Sequence, residues 1–140
     1  MWILYGLGSA FFAACVAILA KLGLEKIDST LATIVRSIIM ALFLVAVGFA
    51  FRKFNGFNLH SLSNREWVLI ALSGIAGALS WLCYFLALRS GTASKVTVID
   101  RLSLVMVVIL AAIFLGEKLK LSTVAGSLLM IAGALLVVLL

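Results

Sequence analysis

The residues with the most chemistry to offer sit in the least polar surroundings. Asp100 and Arg101 are adjacent within Val96 to Leu115, a run of twenty residues in which they alone are charged. Arg36 stands alone in a second apolar stretch, and Trp81 and Tyr84 lie in a third. Ionisable groups at membrane depth mark, by default, a substrate, ion or proton path. Two arginines against one aspartate give a positive balance, which favours a solute carrying a carboxylate or phosphate, or a zwitterion, over a lipophilic cation. Asp100 is the one carboxylate well inside a span, and so the candidate proton carrier.

The rest of the composition sets the medium. The chain has 140 residues, 66% hydrophobic and 11% charged, with a mean hydropathy of +1.34. A soluble domain of this size has no use for so much apolar surface, whereas apolar runs of about 20 residues match a bilayer core of roughly 30 Å. An integral membrane protein is expected. The net charge of +6 is scattered between the apolar runs and forms no stripe, which reads as basic helix flanks and not as a nucleic-acid surface.

Five spans are expected, at about residues 2–22, 30–51, 66–88, 95–115 and 121–140, forming a single transmembrane domain over 1–140 without a soluble appendage. A lone strand cannot satisfy its backbone in lipid and period-2 alternation is absent, so the spans are helices and the fold is an all-α bundle. Gly23 is a natural stop for the first, and Asp28 or Ser29 can cap the second. Ser63 and Glu66 have the spacing of a capping box for the third. "FAAC" before position 15 lacks a basic residue ahead of it, so no signal peptide is read and the first span is retained.

Counting from the helix ends, Arg36 and Asp100 are each six residues inside the membrane on the same side, about 9 Å deep. Trp81 and Tyr84 reach a similar level on the third span. Two readings follow. One is a solute site lined by Arg36, Trp81, Tyr84, Asp100 and Arg101. The other is an Arg36–Asp100 pair that only sets helix register, with Arg101 and Lys21 snorkelling to the interface. Small residues suited to close helix approach are Ser73 with Gly77, Gly74 with Ala78, and Gly126 with Gly133. Gly126 and Gly133 are the favoured helix-packing or dimer seam.

Other chemistries find little support. Cys15 and Cys83 lie in apolar runs as small hydrophobes, and no metal-ligand spacing or cofactor motif occurs. His60, the lone histidine, belongs to the longest loop and reads as solvated. No Gly-rich phosphate loop is present, and an enzyme is not expected.

Three stretches, "AKLGLEKIDSTLATIVRSIIMALFL", "SWLCYFLALRSGTASKVTVIDRLS" and "AAIFLGEKLKLSTVAGSLLMIAGALLVVLL", resemble the EamA-type repeat of the drug/metabolite transporter superfamily over essentially the whole chain. Typical members have ten helices in two oppositely oriented repeats; the resemblance implies one repeat here, as in the five-helix bacterial and archaeal group. It implies transport of a small metabolite, with Lys21, Arg36 and the "DRLS" of residues 100–103 at motif positions. Many relatives have proline in the third or fourth helix, and this chain has none.

The expected protein is therefore a secondary transporter, an exporter, in a prokaryotic inner membrane. The alternative is an accessory or assembly subunit pairing with a paralogous five-helix chain. Basic residues divide five to one side and six to the other, too even for the positive-inside rule to choose an orientation. With inverted repeats common among transporters, this predicts an antiparallel homodimer in membrane lipid, with a small solute as ligand.

Overall fold

The computed structural model describes residues 1–24, 27–55 and 62–139. All of its regular elements are helices: α1 (Trp2–Gly23), α2 (Ser29–Ala50), α3 (Asn64–Ser90), α4 (Ala93–Asp100), α5 (Ser103–Phe114) and α6 (Leu121–Leu139). With α4 and α5 counted as one span, five are long and apolar enough to cross a membrane. The all-α, five-span architecture is the one composition predicts. His60, Lys26 and Leu140 lie outside the described residues.

Local signals end the helices where chemistry requires. The Asp28 carboxylate accepts from the backbone N–H groups of Thr30 (2.9 Å) and Leu31 (3.1 Å), capping α2. Ser63 and Glu66 complete their capping box. The Ser63 N–H donates to the Glu66 carboxylate at 2.7 Å, and the Glu66 N–H donates to Ser63 Oγ at 3.3 Å. Two orphan donors at the start of α3 are thereby satisfied.

The end of α2 is built differently. Arg52 takes a left-handed φ of 51°, the Lys53 N–H returns to the Gly48 carbonyl and the Arg52 N–H to that of Phe49. This is a Schellman closure, with arginine in the position glycine usually holds. The turn folds the Phe54 ring onto Gly48, where an added Cβ would lie 2.6 Å from the ring. Any larger residue there would have to displace the exposed Phe54 ring. Phe54 also meets Phe49 at 4.8 Å between centroids. At the end of α5, Gly116 supplies the left-handed turn with φ +66°.

The fourth span is interrupted, where sequence alone predicts one helix over 95–115. The Leu102 N–H donates to Ile99, Leu104 to Arg101 and Val105 to Leu102, all three-residue steps at 2.9–3.1 Å. The backbone tightens for one turn directly after Asp100. Asp100 and Ser103 flank the turn, and both are poor in helix interiors because their short polar side chains favour competing conformations.

The chain divides into two compact units, Met1–Lys21 with Ser90–Leu140, and Leu22–Arg89. In the first, α4 and α5 pack on α6. Lys95 Nζ donates to the Val138 carbonyl at 2.9 Å, a cation placed on the negative end of α6. Lys21 Nζ donates to the Gly91 carbonyl at 2.8 Å. The second unit contains α2, nearly all of α3 and the connection between them.

Candidate functional site

Within the second unit α2 and α3 are cross-linked at two levels. Beside the first turn of α2, Arg89 Nη1 meets Asp28 Oδ2 at 3.3 Å, an ion pair with both side chains exposed. Eight residues into α2 from Asp28 is Arg36, and eight residues back along α3 from Arg89 is Trp81. The two helices run oppositely, so equal offsets from the ion pair bring these residues to one depth. The Arg36 guanidinium carbon lies 3.7 Å from the Trp81 ring centroid and 5.6 Å from that of Phe85.

The rings brace one another. Tyr84 meets Trp81 edge-to-face at 5.6 Å, and Phe85 meets Trp81 at 5.9 Å. Edge-to-face packing presents the positive ring edge to a neighbour's negative face. The Arg36 guanidinium takes a place over the Trp81 ring in the same cluster. A cation held on a desolvated indole gains about 2 kcal/mol or more, of the order of the insertion penalty for one charge on the translocon scale, roughly 2.5–3.5 kcal/mol. This explains how Arg36 is tolerated within an apolar helix.

The stabilisation is incomplete in one respect. Arg36 Nη1 is enclosed and has no hydrogen-bond partner. An aromatic face attracts the charge but accepts hydrogen bonds poorly, so one donor of the planar fork is held in place without an acceptor. A carboxylate or phosphate oxygen has the chemistry to accept from that donor.

Of the five residues expected at a solute site, Arg36, Trp81 and Tyr84 are brought together. Asp100 and Arg101 belong to the other unit, at the interruption of the fourth span, both partly buried. There the amide of Leu102 turns from Val98 to Ile99, and that of Leu104 from Asp100 to Arg101. The Val98 and Asp100 carbonyls thereby lose their ordinary helical donors. Among the described residues, a Cβ added at Gly74, Gly77, Gly126 or Gly133 would meet no atom within 4 Å.

Sequence reasoning missed Phe85, Ser29 and the Asp28–Arg89 pair as parts of this region. Phe85 is one helical turn from Trp81, and that spacing was a usable signal. Nothing local announces the pair, whose members are 61 residues apart.

A family model described as the EamA-like transporter family matches residues 1–139. The chain belongs to that family. This EamA-family chain is 41% identical over 135 residues to a Sinorhizobium sp protein named an uncharacterized transporter in the cobO 3' region, covering 96% of this chain and 94% of that one. It is 32% identical over 141 residues to the uncharacterized transporter YvbV of Bacillus subtilis (strain 168), covering 96% of this chain but 44% of the relative. No solved structure matches it. The EamA-family chain is thus an integral, multi-pass membrane transporter, a class distinct from enzymes.

Proposed function

We propose that this EamA-family transporter carries a small anionic or zwitterionic metabolite, and that Arg36 on Trp81 is its anion-recognition group. The observation that carries the reading is the enclosed, unpartnered Nη1 of Arg36, about 10 Å from the start of α2 by helical rise. A structural arginine would have its donors satisfied within the protein. Here the ring fixes the guanidinium plane in advance, and preorganisation of that kind lowers the entropy lost when a planar carboxylate docks.

Trp81 and Tyr84 contribute a rigid apolar wall beside the charge. Asp100 and Arg101 are assigned to solute and proton handling at their own position on the fourth span. Interrupted helices with freed carbonyls are a recurrent way of holding ions at membrane depth. The proposed direction is export from the cytoplasm of a prokaryote, across the inner membrane. The working form is an antiparallel homodimer, in which a second copy fills the place of the additional length of the Bacillus subtilis relative. The faces of Gly126 and Gly133 are the proposed seam, with Gly74 and Gly77 available on α3.

Reconstitution of the chain alone into liposomes tests this directly. Flux of amino acids or organic acids, with hydrophobic cations excluded, is the expected result. Transport of cations with no carboxylate carried would overturn the substrate reading. Absence of flux until a paralogous chain is added would favour the accessory-subunit role.

A further inference from the structure

Among the described residues, two buried side-chain polar atoms lack a hydrogen-bond partner: Ser29 Oγ and Arg36 Nη1. They lie on one helix. Seven residues apart on α2, they share a face two turns apart, roughly 10 Å between Cα positions. Helical side chains lean toward the N-terminus, so Arg36 reaches back toward Ser29 and shortens that gap.

The same face shows what ordinarily happens to such hydroxyls. Thr33 Oγ donates to the Ser29 carbonyl at 2.8 Å, and Ser37 Oγ donates to the Thr33 carbonyl at 2.8 Å. Each uses the helical turn before it. Ser29 is the first residue of α2 and has no preceding helical turn to use. It is also fully buried, at 0% exposure, so bulk water does not satisfy it. An alanine there would bury the same carbon without the orphan hydroxyl. A hydroxyl kept dry and unpaired, in line with an arginine in the same condition, is arranged for a ligand that reaches both.

We propose that Ser29 is a second solute-contacting group, and that the site selects carboxylates bearing a further hydrogen-bonding substituent. Resting on the assignment of Arg36 as the anion-recognition group, this places the carboxylate on Arg36 and the substituent toward Ser29. A serine hydroxyl both donates and accepts, so a hydroxyl or an ammonium suits it, while a methyl group leaves it unpaired. Sites built around a hydrogen bond reject analogues lacking it far more strongly than apolar pockets reject a missing methylene. Ser29 is covered in this conformation.

The test uses the full chain and three probes: butyrate and its omega-hydroxy and omega-amino counterparts. Dissociation constants come from Trp81 fluorescence and thermal shift. Wild type should bind the two substituted acids at least tenfold more tightly than butyrate. Ser29→Ala should bring that ratio to near one with butyrate affinity unchanged, and Ser29→Cys, nearly isosteric with a weaker hydrogen bond, should fall between. Arg36→Gln should lose all three acids. Because Ser29→Ala also removes an orphan hydroxyl, a change in its unliganded melt is expected and does not decide the matter; the ratio does. A wild-type ratio near one, or a ratio that Ser29→Ala and Ser29→Cys leave intact, overturns this inference while the anion site stands. If no carboxylate binds the wild-type protein, the anion site falls, and this inference with it.

Discussion

The Arg36 guanidinium stands 3.7 Å above the Trp81 ring, with the two residues contributed by oppositely running helices. Removing either partner has distinct consequences. Trp81→Leu should destabilise the protein by about 1–2 kcal/mol, since the charge loses its ring and remains inside an apolar span. Arg36→Lys keeps the charge but loses the planar fork, and a lost bidentate contact of about 1.4 kcal/mol lowers solute affinity roughly tenfold. Thermal melts in detergent, with liposome flux for the lysine variant, check both. Unchanged flux in Arg36→Lys would show that a planar donor is not needed.

Asp28 makes the α2 cap sensitive to acid. The Leu31 amide, foremost, then the Thr30 amide and the charge of Arg89, hold its carboxyl below the usual carboxylate range. A group with a depressed folded pKa contributes stability that is complete above the usual range and is lost as pH falls through the lowered value. Asp28→Asn retains a capping side chain but no charge. Its melting temperature should lie below wild type at neutral pH, and the gap should close as pH drops below about 4. A gap that persists at low pH would assign the effect to something other than Asp28 ionisation.

The Phe54 ring lies where a Cβ on Gly48 would go, so a side chain there must displace it. Gly48→Ala should lower the melting temperature, and Gly48→Ala with Phe54→Ala should recover part of the loss, an interaction a double-mutant cycle measures. Arg52→Gly should stabilise by up to about 1 kcal/mol by relieving the left-handed backbone of Arg52. Additive effects of the Gly48 and Phe54 changes would mean that the ring does not sit on α2.

Cysteine labelling in native membranes tests the antiparallel dimer. A reporter cysteine placed at Lys53 should be reached from both sides of the membrane, and Gly126→Leu with Gly133→Leu should weaken dimer cross-linking without unfolding the monomer. One orientation only would leave a parallel dimer or a paralogous partner.

The interruption after Asp100 separates two roles by mutation. Asp100→Asn should abolish the response of flux to an imposed pH gradient while leaving gradient-free exchange measurable. Arg101→Gln should reduce both. Gradient-driven flux that survives in Asp100→Asn would rule out this carboxylate as proton carrier.

Much of this protein was legible in the residues one window at a time. The five spans follow because insertion into a bilayer depends on local composition over about 20 residues, with no reference to the rest of the chain. Asp28, the Ser63–Glu66 box and the stop at Gly23 are local for the same reason, since a cap involves residues two to four apart. The presence of Arg36 and Asp100 inside spans was likewise visible, as a cost that something must offset.

The tertiary structure alone decided which face each residue presents. In a soluble helix an apolar stripe reveals the buried side, but these helices are apolar all round, because lipid is as apolar as the protein interior. Rotation about the helix axis therefore leaves little trace in the pattern. That Arg36 turns to Trp81 and that Arg89 finds Asp28 across 61 positions are consequences of how α2 and α3 approach each other, and the sealing of Ser29 from water is likewise decided by packing. They rest on contacts between residues far apart in the chain, to which local composition is blind.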